Sequence, residues 1–252
     1  MQLSGKNAII YGGGGQIGGA IARAFAHAGA KVFLAGRTRE TLDRVAGPIR
    51  DAGGMAETAV VDALDERAVD AHADAVAAQG GIHISLSVIN DQDVQGTPMV
   101  EMSLEDYLRP VVTAVTSKFL TARAAARHMI KQRGGVILMF GGSGDWSGLR
   151  DYRIGGFLTA LEAVESMRRQ LATELGPHGI RVVSLRTGGV PETLPAGMPG
   201  RDEIERMLVD PTLTGRAATL EDVGNVAVFA ASDLGRTLTG TSINITCGAH
   251  VD

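Results

Sequence analysis

Seven short apolar runs recur along the chain, with amphipathic stretches between most of them. This alternation restricts the fold more than any other feature of the sequence. The runs are NAIIY (7–11), KVFLAG (31–36), AETAVV (56–61), HISLSVI (83–89), GVILMF (135–140), RVVSL (181–185) and SINIT (242–246). The intervening pattern predicts helices over 17–28, 39–52, 65–78, 104–131, 157–176 and 219–231. Strands that are apolar almost throughout, rather than at every second position, are buried on both faces. Repeated strand–helix–strand units reach that state through right-handed crossovers, which make the sheet parallel.

The expected class is therefore α/β: a doubly wound Rossmann fold with a seven-stranded parallel sheet and helices on both faces. No linker or shift in composition divides the chain, so residues 1–252 read as one domain. Aromatic residues make up only 4% of the sequence, which leaves the core to Ala, Val, Leu and Ile. One stretch rich in Pro and Gly, TGGVPETLPAGMPG, follows the sixth strand, and 187–212 reads as a mobile lid over the strand ends.

Composition excludes several function classes. The net charge is −4 and no basic stripe is visible, which argues against nucleic acid or an anionic membrane as partner. A single cysteine, Cys247, cannot form an internal disulfide and suits a reducing compartment. The N-terminus enters a strand pattern without the apolar run of a secretion signal, so a soluble, cytoplasmic protein is expected. The six histidines show no ligand spacing, and no metal site is expected. Neither a nucleophile-elbow G-x-S-x-G nor a P-loop lysine occurs.

The informative motif is IIYGGGGQIGGAIARAFA, a glycine run between the first strand and the first helix. Gly13, Gly15 and Gly18 satisfy G-x-G-x-x-G in the context that gives it meaning. Glycines let the backbone approach a pyrophosphate closely. A helix starting near Ile17 aims free N–H groups and its positive dipole end at the phosphates. The second strand ends in FLAGRTR. An acid at that point would bind a ribose 2′-hydroxyl, but Gly36 stands there and Arg37 follows. Arginine matches a 2′-phosphate, so NADP(H) is favoured over NAD(H). Asp62, after the third strand, is placed either to bind an adenine amino group or to cap the next helix.

The Gly12–Gly18 loop, Asp62, ELGPHGIRVVSL (174–185) and LTGTSINITCG (238–248) together resemble the short-chain dehydrogenase/reductase family. The resemblance spans nearly the whole chain. It implies a nicotinamide cofactor across the strand ends, held by Gly12, Gly13, Gly15, Gln16, Ile17, Gly18, Arg37, Asp62, Ala63, Gly188 and Val190. It also implies a homodimer or homotetramer built on the two longest helices. The departures are equally specific. Tyr11 stands for the family Thr and Gln16 for the middle Gly of T-G-x-x-x-G-x-G, and a Cβ at 16 is expected to crowd the pyrophosphate. Ser87 to Asn90 replace N-N-A-G, Thr187-Gly188 replace P-G, and the structural Asn of the fourth helix falls on Ala114.

The largest departure lies in GGFLTALEA (155–163). Counted back from Gly179, Phe157 occupies the tyrosine position and Leu161 the lysine position of the family's Y-x-x-x-K. Hydride reduction of a ketone leaves an alkoxide that must be protonated, and neither side chain can do so; loss of general acid catalysis costs about 10²–10⁴-fold. Three readings remain. Hydride addition to a conjugated enone gives an enolate, for which oxyanion stabilisation by Ser143 or the Gly141–Gly144 turn suffices. The acid is instead relocated to Tyr152, beside Arg150 or Arg153, in a loop that also holds Asp145, Trp146 and Asp151. Or the fold serves a non-redox role as sensor, scaffold or repurposed catalyst. The apolar pair at 157 and 161 suits a small hydrophobic substrate in each case.

Overall fold

The computed structural model describes residues 1–142 and 153–251. The elements are β1 (Asn7–Tyr11), α1 (Gln16–His27), β2 (Lys31–Gly36), α2 (Arg39–Asp51), β3 (Met55–Val60), α3 (Glu66–Ala77), β4 (Ile84–Ser87), α4 (Leu104–Gln132), β5 (Gly135–Gly142), α5 (Gly156–Leu175), β6 (Ile180–Thr187), α6 (Arg201–Val209), α7 (Leu220–Ala231) and β7 (Thr241–Asn244). All seven strands are parallel, in the order β3-β2-β1-β4-β5-β6-β7. The chain winds outward from β1 to β3 and then crosses to β4 on the other side of β1. That reversal is the topological switch point, and a crevice opens there at the strands' carboxyl ends.

Alternate strand residues feed two cores. Ile10, Leu34, Leu86, Leu138 and Leu185 pack with Ile21, Phe25, Val45, Val223 and Ala227, on the face covered by α1, α2 and α7. Ile9, Tyr11, Phe33, Ile137, Met139 and Val182 pack with Val69, Ala73, Ala125, Met129, Ala160 and Val164, on the face covered by α3, α4 and α5. The period-two exchange of Ile9 and Ile10 is what both-face burial of one strand requires. Where two helices must meet closely, a small residue allows it. A Cβ on Gly224 of α7 would lie 3.0 Å from Ala24 Cβ of α1. Thr219 caps α7 through a reciprocal box with Asp222, and Asp65 caps α3 by accepting from the N–H groups of Arg67 and Ala68.

All seven expected strands and six expected helices are present, with ends displaced by up to two residues. β4 stops at Ser87 rather than Ile89 because the chain turns there into the crevice, although Val88 N–H still donates to Tyr11 O. β5 runs on to Gly142 because β6 continues beside it, with Gly142 opposite Thr187. The 187–212 segment holds a further helix, α6, and a 3-10 turn at Pro191–Thr193. Among the described residues, no helix is long and apolar enough to cross a membrane.

Candidate cofactor and substrate site

The loops after β1 and β4 flank the crevice and pack against each other. Gly12 adopts φ +88°, and a Cβ there would lie 2.3 Å from the Val88 carbonyl oxygen. A Cβ on Gly18 would lie 2.3 Å from the Gly12 carbonyl oxygen. Both glycines are required by backbone approaching backbone, before any ligand is considered.

α1 begins at Gln16 with Gly15 at its N-cap, and no side chain caps it. The first turn contains no acid. Among the described residues, no acceptor is given to the N–H groups of Gln16, Ile17 or Gly18. An uncapped, acid-free helix start leaves its donors for an external anion. Gln16 does not project blindly into that space. Its Nε2 donates to the Thr193 carbonyl oxygen at 3.3 Å, tying the loop to the segment after β6. Gly13 donates its N–H to Ala35 O and so holds the loop against the end of β2.

Arg37 is exposed beyond Gly36, and among the described residues nothing pairs with it. Its neighbour Arg39 is instead committed to Thr58, donating to both the backbone oxygen and Oγ1. Asp62 is also exposed; its Oδ1 accepts from Leu64 N–H at 3.0 Å. Asp65, not Asp62, caps α3, so the capping role open to Asp62 in the sequence is already filled. Ala63 is buried behind Asp62. Gly188 is exposed at the end of β6. The Val190 side chain is buried in the core, so only its backbone is left for the crevice side.

α5 starts at Gly156, whose Cβ, if present, would collide with the backbone of Tyr107 on α4. This contact pins the two helices together at the crevice end. Phe157, in the first turn of α5, is half-buried. Leu161 is 8% exposed, and its Cδ2 would lie 3.6 Å from a Cβ on Gly141, near the end of β5. A methyl group, not an ammonium, thus covers this strand end. Ser143 and Tyr152 lie outside the described residues, as do Asp145, Trp146, Arg150 and Asp151. Arg153 is exposed, with its carbonyl accepting from Gly96 N–H at 3.1 Å.

Sequence reading missed two residues here. Lys118 of α4 is 2% exposed, Asp91 after β4 is 8% exposed, and Lys118 Nζ lies 3.0 Å from Asp91 Oδ1. Burial pushes the Asp91 carboxyl above its usual range, with Lys118 pulling against it and Asp93 adding to it. The signal was available: Lys118 follows Ala114 by four residues and precedes Thr121 and Ala125 on the inward face of α4, where a lysine is out of place. Elsewhere His72 is held neutral down to about 4 by burial beside Tyr11. No cluster among the described residues has the composition of a metal site.

A parallel sheet wound outward from a glycine-rich β1–α1 turn, with free helix N–H groups at the switch point, defines a dinucleotide-binding protein. The comparisons name the class more closely. A family model described as enoyl-(acyl carrier protein) reductase matches residues 14–250. Gluconate 5-dehydrogenase of Gluconobacter oxydans is 30% identical over 99% of this chain and 96% of its own. A crystal structure of a short-chain dehydrogenase/reductase from Mycobacterium marinum superposes with TM-score 0.86 at 30% identity, covering 100% of this chain and 97% of that one. A putative NAD(P)-dependent gluconate 5-dehydrogenase from Beutenbergia cavernae, with bound NADP, gives TM-score 0.84 at 28% identity over 98% of both chains. The chain belongs to the short-chain dehydrogenase/reductase family of oxidoreductases. The Beutenbergia cavernae structure holds NADP, and the free N–H groups of α1 fit the pyrophosphate of such a cofactor.

Proposed function

We propose that the protein is an NADP(H)-dependent reductase of a small hydrophobic enone or enoyl compound that works without the phenol–ammonium pair. The observation that carries this reading is Leu161 lying over Gly141, which puts an aliphatic group at the strand end where a cation is expected. The bound cofactor supplies a hydride. The chain's part is to hold it, exclude water and stabilise the oxygen that becomes negative.

Gly12, Gly13, Gly15 and Gly18 shape the pyrophosphate loop, with the N–H groups of Gln16, Ile17 and Gly18 as donors. Arg37 binds the 2′-phosphate, and Asp62 and Ala63 line the adenine end. Gly188 and the Val190 backbone flank the nicotinamide. An enolate spreads its charge and tolerates slow protonation, so the site needs donors to oxygen more than a strong acid. Ser143 and the Gly141–Gly144 turn are the nearest candidates in sequence, with Tyr152 as a relocated donor. The enoyl reductase description of the matching family supports an alkene substrate, whereas the gluconate dehydrogenase relatives support an alcohol–ketone pair. A cytoplasmic homodimer or homotetramer joined through α4 and α5 completes the reading.

Titration with NADPH, followed by nicotinamide fluorescence, tests the first step; no saturable change at millimolar cofactor removes the proposal. A panel of ketones and conjugated enones tests the second. Turnover of enones alone supports the enolate route. Robust ketone turnover abolished by Tyr152→Phe moves the acid to that loop. Binding with no turnover of either leaves a non-redox role.

A further inference from the structure

We infer that Arg186, at the carboxyl end of β6, is the group that holds the negative oxygen at this site. The inference rests on the reductase reading above and supplies from β6 the positive charge that Leu161 leaves out of α5.

Strand register places the residue. Arg186 pairs with Gly141 of β5 and with Asn244 of β7, one residue before β5 and β6 both end at the crevice. Side chains alternate between faces along a strand, and register partners in a parallel pair share a face. Val182 of β6 and Ile137 and Met139 of β5 pack on the face covered by α4 and α5, so Arg186 and Gly141 belong to that face as well. A Cβ on Gly141 would lie 3.6 Å from Leu161 Cδ2. Arg186 therefore stands one strand spacing, about 4.8 Å, from the residue that Leu161 covers. Gly141 has no side chain to separate them. Asn244, on the other flank, is committed to its own turn: its Nδ2 donates to His250 O and its Oδ1 accepts from Thr246 N–H. Arg186 is the charged member of this row.

Two other cations on the same face are differently placed. Lys118 is 2% exposed and held by Asp91 at 3.0 Å. Arg168 is 4% exposed, more than three turns along α5 from Gly156, and its Nη2 lies 2.9 Å from Glu165 Oε2. Arg186 is half-buried, so a ligand can reach it where it cannot reach the other two.

The chemistry suits an oxyanion. A guanidinium keeps its charge throughout the range in which proteins fold, so no proton has to be found or released. Its five N–H donors spread in one plane, so it keeps its contacts with the chain and still donates to a substrate oxygen. Beside the apolar Leu161, a donor aimed at developing charge is worth more than in water. The step balances as follows. Hydride adds to the β-carbon of the enone, the alkene π pair becomes the new bond between the α-carbon and the carbonyl carbon, and the carbonyl π pair moves onto oxygen. Arg186 N–H groups hold that oxygen and keep their protons. Water then gives a proton to the α-carbon, the carbonyl re-forms, and the hydroxide left behind is neutralised by solvent.

The probe is 4-nitrophenol, whose anion carries its charge on a conjugated oxygen as an enolate does. In the complex with NADP⁺, wild type is expected to bind it as the phenolate, so that the bound phenol ionises at lower pH than the free one, read by absorbance. Arg186→Gln is expected to weaken phenolate binding about 10- to 100-fold and to abolish that shift. It should bind NADPH within about threefold of wild type, melt within a few degrees of it, and lose about 100-fold in kcat for the enone. Arg186→Lys keeps the charge and should recover most of the phenolate binding. Arg186→Gln protein that binds the phenolate and reduces enones as wild type does overturns the inference and leaves the reductase reading intact. Bound 4-nitrophenol that ionises at higher pH than the free phenol in wild type also overturns it, with no variant needed. Wild-type protein that binds NADPH but reduces no enone overturns both.

Discussion

Gly18→Ala probes the packing of the crevice with one methyl group. Its Cβ would lie 2.3 Å from Gly12 O, 3.0 Å from Gly12 C and 3.1 Å from Val88 Cγ1. Ordinary contact needs roughly 1 Å more, and the nearest atoms are backbone, so no rotamer change relieves the clash. Overpacking of this kind costs about 1–3 kcal/mol. The upper end applies here, because α1 must move off β1. Replacing Gly by Ala within a helix returns up to about 1 kcal/mol. The net expectation is a loss of about 1–2 kcal/mol, which is a fall of roughly 2–8 °C in Tm for a chain of this size.

Gly15→Ala is the matched control. Its nearest neighbour would be Gly12 O at 3.4 Å, and its φ of −78° suits any residue. Its Tm should fall by less than that of Gly18→Ala, while under the proposed cofactor placement its added methyl should weaken NADPH binding. Thermal unfolding of both apo variants, followed by circular dichroism, is the assay. A Gly18→Ala protein that melts with wild type, or a Gly15→Ala protein that melts lower than Gly18→Ala, refutes the packing argument.

Three further outcomes are expected. Arg37→Ala should weaken NADPH binding about 10- to 100-fold, the worth of a charge-assisted phosphate contact, and leave NADH unchanged; equal losses for both cofactors would remove Arg37 from the 2′-phosphate. His72 has its pKa lowered to about 4 by burial, so below pH 6.5 the unfolded chain binds a proton that the native one refuses. Stability should then fall between pH 6.5 and 4 by up to roughly 3 kcal/mol and level off below, and urea melts of His72→Gln should lack that slope. Asp222 is held at about 2, chiefly by the Arg216 hydrogen bond and then by Thr219 in the cap of α7. Its contribution is complete above the ordinary carboxyl range near pH 4 and fades as pH falls toward 2, so acid titration of wild type and Asp222→Asn should converge over that window.

Local sequence determined the fold class and the glycine-rich turn after β1, whereas the strand order came from the structure. Strands largely apolar, alternating with amphipathic helices, admit little besides a parallel sheet covered on both faces, because the central strands must bury both of their sides, while the edge strand β3 stays partly exposed. Gly12 to Gly18 could be read for the same reason: a strand, a glycine run and a helix start are neighbours in the chain. The register that sets Phe157 and Leu161 at the family's tyrosine and lysine positions is likewise a local reading, counted back along the helix ahead of HGIRV, and the structure places both residues in α5.

What only the tertiary structure decided were meetings between residues far apart in sequence. Asp91 and Lys118 are 27 positions apart; the inward face of α4 marks Lys118 as buried, but its partner emerges only when the β4 loop and α4 are folded against each other. The choice of Asp65 over Asp62 as the cap of α3 turned on where the first helical N–H groups point, and two nearby aspartates do not reveal that. Gln16 reaches Thr193 across 177 positions, a contact no local pattern encodes. Periodicity records which face of an element is buried; what lies against that face depends on how the elements pack.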